Sequence, residues 1–176
     1  CPKLEQSQAL DPGMGTKYRL AECFESAGLT GTAWRLFSEV VADANASGRT
    51  DREAQAREHA DALAPHVPWL VVTATPDAAA QPGLEIRIDE QSIDVAKLGQ
   101  KIAIDPGAHT VVVTATGRLA QRKNIRSLEG STETLAVPVL DPTPPGAKDP
   151  QLPPPPPPAR SGFGQRVASI VVGGVG

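Results

Sequence analysis

At Trp69 the hydrophobic period of this chain changes from that of a helix to that of a strand. Upstream, Ala33, Leu36, Phe37, Val40, Val41 and Ala44 recur at i, i+3, i+4, i+7, i+8 and i+11, which lays them along one face of a helix. Downstream, Leu84-Glu85-Ile86-Arg87-Ile88-Asp89 alternates, with Leu84, Ile86 and Ile88 directed inward. No single regular element satisfies both patterns. The sequence therefore predicts an α+β chain, with helices over residues 1–67 and a small antiparallel β-sandwich over 69–140. Aromatic residues make up only 3% of the chain, so both cores must rest on Leu, Val, Ile and Ala.

Within the helical part, residues 4–10 read as the end of a helix stopped by Asp11-Pro12-Gly13. Leu20, Ala21, Phe24, Ala27 and Gly28 share a face of the next stretch, and Gly28 and Gly31 mark a tight turn before the third. Thr50-Asp51-Arg52-Glu53 has the form of a capping box, in which the Thr50 hydroxyl accepts from the Glu53 amide and the Glu53 carboxylate reaches back. A stripe of Ala56, Ala60, Leu63 and Val67 follows, with Pro65 and Pro68 near its end. Leu20-Ala21, Phe24, Gly28, Ala33 and Phe37, preceded by Ala9-Leu10-Asp11-Pro12, resemble the tetratricopeptide repeat family over about one repeat and the closing helix of an earlier one. Asn45-Ala46-Ser47-Gly48 stands where that family closes its second helix with proline. The resemblance implies an antiparallel helical repeat that binds a protein or peptide along its inner face. It also implies further repeats before Cys1, because one repeat alone cannot bury its apolar surface. Tyr18, Arg19, Glu22, Arg35 and Glu39, polar or amphipathic groups near these helices, are the candidate partner-binding face.

From Trp69 onward, β-branched runs at 69–75, 84–89, 101–104, 110–116 and 134–140 are separated by Pro76-Asp77, Pro82-Gly83, Asp105-Pro106-Gly107, Gly117 and Gly130. The stretch Ile104-Asp105-Pro106-Gly107-Ala108-His109, running through a Val-rich strand to Gly117-Arg118, resembles the PEGA family of small surface-associated β domains. Arg118-Leu119 takes the place of the aromatic that family carries after its glycine. The resemblance implies a spacer, or a module that contacts a cell-surface polymer.

Residues 153–158 are six consecutive prolines, which adopt an extended form at about 3 Å per residue. Residues 141–162 are thus expected to be a disordered, proline-rich linker. Residues 163–176, with the apolar, uncharged run 167–176, are expected to be the start of a membrane helix, since a full span takes about 20 residues. A frayed apolar tail is the alternative. Arg160 and Arg166 before the run favour a cytoplasmic flank by the positive-inside rule, whereas the family resemblance favours export. The combination of helical repeat, PEGA-like sheet, polyproline and apolar end is similar to bacterial envelope proteins of the myxobacterial type. That resemblance places the soluble modules outside the cytoplasm.

The chain carries a formal net charge of −3 without a basic cluster, which argues against nucleic acid as a partner. His59, His66 and His109 lack the convergent spacing of a metal set and read as solvated structural residues, His66 complementing a helix dipole. Asp89-Glu90 and Asp94 lack the alternating oxygens of a calcium loop, the serines sit in no nucleophile motif, and the glycine pairs lack a phosphate-loop lysine. No catalytic, cofactor or metal residues are assigned.

Cys1 lies ten residues before the Asp11-Pro12-Gly13 turn and Cys23 ten after it. In a helical hairpin that symmetry sets both at similar heights, so a disulfide and an oxidising compartment are one reading. Two reduced, buried thiols are the second, and a lipidated Cys1 the third. The expected function is that of a non-enzymatic, membrane-anchored envelope protein acting as an interaction scaffold. The alternative is the extracytoplasmic sensory region of a larger signalling protein such as a kinase.

Overall fold

The computed structural model describes residues 1–89 and 91–144 and is mixed α+β. Four helices come first: α1 (Pro2–Leu10), α2 (Met14–Ser26), α3 (Thr30–Ala46) and α4 (Thr50–Leu63), followed by a 3₁₀ turn at Ala64–His66. The ends of α2 and α3 are built the same way. Gly28 (φ 75°) and Gly48 (φ 68°) take the left-handed conformation. Leu29 N–H then reaches Phe24 O at 3.0 Å, and Arg49 N–H reaches Ala44 O at 2.9 Å. Glycine is favoured there because any Cβ is strained at that φ, and the wrapped-back bonds satisfy the last carbonyls of each helix.

The helical core contains Leu20, Ala21, Ala33, Leu36, Phe37, Val40, Ala56, Ala60, Leu63 and Val67, so the predicted stripes of the second, third and fourth helices meet each other. Cys1 and Cys23 are bonded, with Cα atoms 5.6 Å apart. Of the three readings of these cysteines, the disulfide is the one the structure holds. Two local expectations are corrected. Gly31 is not in the turn but in the first turn of α3, fully packed. Thr50-Asp51-Arg52-Glu53 forms no capping box, because α4 already begins at Thr50: the Glu53 amide donates to Arg49 O at 3.0 Å, and the Glu53 carboxylate accepts from Arg57 and Asn45.

Two sheets share a second core around Leu70, Val72, Ile86, Ile88, Ile104, Val111, Val113, Leu135 and Val137. In the first sheet β1 (Trp69–Ala74) lies between β4 (Lys101–Ala103) and β7 (Thr132–Val137). In the second the order is β3 (Gln91–Ile93), β2 (Glu85–Ile88), β5 (Gly107–Thr114), β6 (Gln121–Ser127). Ile86 and Ile88 face the core as predicted, and Leu84 is partly buried against it. The expected all-antiparallel sandwich is corrected in one respect: β1 and β7 run parallel, in register from Trp69↔Thr132 to Ala74↔Val137. Pro76-Asp77, expected as a turn, opens a short helix α5 (Pro76–Ala79), whose Thr75 hydroxyl accepts from Ala78 N–H.

The linker boundary also moves. Leu119 N–H donates to Asp141 O, Thr143 N–H to Gly117 O, and Arg118 bridges Pro142, so residues 141–143 belong to the β module rather than to a free linker. Residues 145–162 of the proline-rich tract and the apolar segment 163–176 lie outside the described residues. Among the described residues no helix is long and apolar enough to cross a membrane.

The helical and β modules meet where α3 begins. A Cβ on Gly31 would overlap the Ile104 carbonyl, so only hydrogen fits at that contact. Gly31→Ala is therefore expected to lower stability by about 1–3 kcal/mol. Gly15→Ala in α2, where a Cβ meets nothing within 4 Å, should be neutral or gain up to about 1 kcal/mol. Urea denaturation of the two variants checks the contrast.

Candidate functional site

Three helices contribute one side chain each to a ring cluster. Tyr18 of α2 meets Phe37 of α3 edge-on, with centroids 5.4 Å apart, and His59 of α4 stacks on the same Phe37 at 4.6 Å and 10°. Tyr18 and His59 are themselves edge-to-face at 5.8 Å. Such arrangements suit the quadrupoles of the rings. The Arg52 guanidinium lies 4.8 Å from the Tyr18 centroid, a cation–π contact from α4 across to α2. Glu25 Oε2 stands 2.9 Å from His59 Nδ1 and completes the crossing from the other direction. The Tyr18 phenol is pushed above its ordinary range by burial first, with Glu22 adding to that effect and Arg52 opposing it. Tyr18, Glu22, Glu25, Arg52 and His59 thus line the seam between α2 and α4, over a floor made by Phe37.

The five sequence-predicted face residues do not form one face. Tyr18, a candidate for the partner-binding face, is only 6% exposed and belongs to the floor. Its ring supplies apolar area that a core poor in aromatics needs. Arg19 and Glu22 pair with each other at 2.7 Å along α2. Arg35 and Glu39 pair at 2.7 Å on α3, and Lys17 reaches Glu39 at 3.3 Å and Asp43 at 2.8 Å. Glu39 follows Phe37 by two residues, roughly 200° round the helix, so the Arg35–Glu39 pair lies on the side of α3 away from the ring cluster.

Glu25, Arg52 and His59 were not among the predicted face residues. A signal was present: Arg52, Ala56, His59 and Leu63 follow one another by four, three and four residues, the spacing of one helix face. His59 is corrected from a solvated residue to a stacked member of this cluster. His66, exposed in the last turn of the 3₁₀ helix as expected, also pairs with Glu129 in the turn before β7. His109, by contrast, is not solvated. Its side chain is 10% exposed, with Nδ1 2.8 Å from Asp89 Oδ2 and Nε2 2.7 Å from Asp105 O.

Asp105 ties the second module to the first. Its carboxylate accepts from the backbone N–H of Thr32 at 2.8 Å and from the Thr32 hydroxyl at 2.6 Å. The start of α3 has no side-chain cap from its own segment. A residue 73 positions away in sequence therefore caps it, meeting unsatisfied donors and the positive end of the helix dipole. Around this bond, Trp34 meets Trp69 edge-on at 5.0 Å, Lys101 lies 5.9 Å from the Trp69 centroid, and Gly130 N–H donates to His66 O.

The carboxylates considered for calcium have other work. Asp89 accepts from Thr110 N–H and meets His109, Asp94 accepts from Ala96 N–H, and Glu90 lies outside the described residues. Among the described residues no three His, Cys, Asp or Glu side chains group as a metal set. Compared with known families and curated proteins, the chain matches no family model and no curated protein.

Two measurements test this geometry. Thr32→Ala and Asp105→Ala are each expected to cost about 0.5–2 kcal/mol, and the double variant should cost less than their sum, because both remove the hydroxyl–carboxylate bond. A double-mutant cycle by chemical denaturation reads this. The hydrogen bond to Asp43, aided by Glu39, raises the Lys17 ammonium above its ordinary 10.5, against the opposing effect of burial. A raised folded value means the stabilisation is complete below 10.5 and is lost as pH rises through the folded value. The stability difference between wild type and Lys17→Met, roughly 0.3–1 kcal/mol for a pair this exposed, should be flat at neutral pH and fade at strongly alkaline pH.

Proposed function

We propose that this chain is the binding region of a non-enzymatic, membrane-anchored envelope protein. Its helical module takes a protein or peptide along the seam between α2 and α4. The observation that carries the reading is that seam itself: an aromatic floor of Tyr18, Phe37 and His59, flanked by Arg52 on one side and Glu22 and Glu25 on the other. The buried Tyr18 and Phe37 rings hold the half-exposed His59 in place, and the mixed charges beside it suit recognition of a peptide backbone and polar side chains. The tetratricopeptide-like spacing of the helices supports the same assignment. The β module, with its PEGA-like turn and strand, acts as a spacer and as a contact for a cell-surface polymer. The proline tract and apolar end act as stalk and anchor. The Cys1–Cys23 disulfide supports an oxidising location outside the cytoplasm.

Selection of a random peptide library on the full chain tests this reading. Peptides that enrich should lose about tenfold in affinity or more against Arg52→Ala and against Glu25→Ala. They should bind Arg35→Ala unchanged, since Arg35 lies away from the ring cluster. Equal binding to all three variants would move the site off the α2–α4 seam.

A further inference from the structure

The first helix is held to the rest of the chain by little besides one covalent bond. None of the α1 residues is fully buried. Cys1, Leu4 and Gln8 are its half-buried positions, spaced along one side, while the others are exposed and Leu10 is 87% so. Cys1 and Leu4 pack against the helical core from outside it. Among the described residues no ion pair and no side-chain hydrogen bond joins α1 to another helix. Gln8 Oε1 accepts only from Gly13 N–H in the adjoining turn, at 3.3 Å. By contrast, α2, α3 and α4 are bound to one another by the ring cluster, the Lys17 pairs and the Glu25–His59 contact. The disulfide joins Cys1 to the last turn of α2 across a separation of 22 residues, and both cysteines are partly solvent-accessible.

We propose that the Cys1–Cys23 bond is a redox clasp for α1. While the bond is intact, α1 lies on α2. When it is reduced, α1 leaves, Cys1 and Leu4 withdraw from the core, and the side of α2 that carries Cys23 opens, while α2–α4 and the sheets stay folded. The reductant is a dithiol. One of its thiolates attacks a sulfur of the bridge and forms a mixed disulfide, expelling the other cysteine as a thiolate. The second thiol of the reductant then closes its own disulfide and releases the remaining cysteine. Two electrons pass to the cysteine pair, which takes up the two protons the dithiol loses. A tether across a loop of this size favours the docked form on the order of a hundredfold over the same segment untied.

Amide hydrogen exchange on the full chain, with and without a dithiol reductant at neutral pH, tests the clasp. Peptides covering residues 4–11 should exchange about a hundredfold faster after reduction, whereas peptides covering 36–44 of α3 should be unchanged. Cys23→Ser should match the reduced protein without any reductant. Two results would overturn the proposal. One is protection of residues 4–11 that survives reduction. The other is loss of protection in α3 together with α1, which would make the bond a support of the whole helical module rather than a release for one helix.

Discussion

The bond from Asp105 to the start of α3 is the constraint on which the arrangement of the two modules depends. A helix begins with N–H groups that have no partner within the helix, and α3 brings no side chain of its own to meet them. The partner comes from the turn between β4 and β5, so capping and docking are the same event. Close approach is a condition of it. Gly31 leaves room for the Ile104 carbonyl, Ile104 N–H donates to Pro68 O at 3.0 Å, and Val67 and Pro68 are buried at the crossing. Asp105 is itself held: its backbone carbonyl accepts from His109, whose other ring nitrogen meets Asp89. A line of contacts thus runs from a helix start through a turn to the β2–β3 hairpin.

Much of the fold was legible because it is written locally. The third helix and the stripe of Ala56, Ala60, Leu63 and Val67 follow from periodicity alone, and all the residues of that stripe are buried in the helical core. Periodicity says which face is apolar but not which element covers it. That is why the parallel pairing of β1 with β7, more than sixty residues apart, escaped a reading that expected hairpins. β6 escaped for another reason. As an edge strand reading Gln-Arg-Lys-Asn-Ile-Arg-Ser it carries charges, which discourage pairing with other chains and also erase the alternation by which a strand is recognised. Thr50 shows the opposite failure. Its spacing to Glu53 fits a capping box, but the backbone turns helical one residue too early for the hydroxyl to accept the bond.

The candidate site was legible in part. Tyr18, Arg19 and Glu22 share polarity and nearness to the second helix, a criterion that ignores direction. Successive residues on a helix differ by about 100°, so neighbours in sequence point to different partners. Tyr18 turns in, Arg19 turns out, and Lys17 turns toward α3. The same arithmetic applied to α4 links Arg52 to His59 through Ala56, without reference to a structure. Asp105 had no such route. Its role as the cap of α3 depends on a fold that must already bring residues 32 and 105 together.

The helical core of the described residues is covered on two sides, by strands and by α1, and the two are held by unlike means. Trp69 of β1 and Ala103 of β4 pack against the helical core on one side. Elsewhere α1 packs on the helical core through partial burial and a disulfide to α2. The sheet end combines burial, a helix cap and paired tryptophans, contacts that no single change removes together. The α1 end depends largely on one bond between two sulfurs. That asymmetry makes the junction with the sheet the fixed side of the helical module and its first helix the side that can change state.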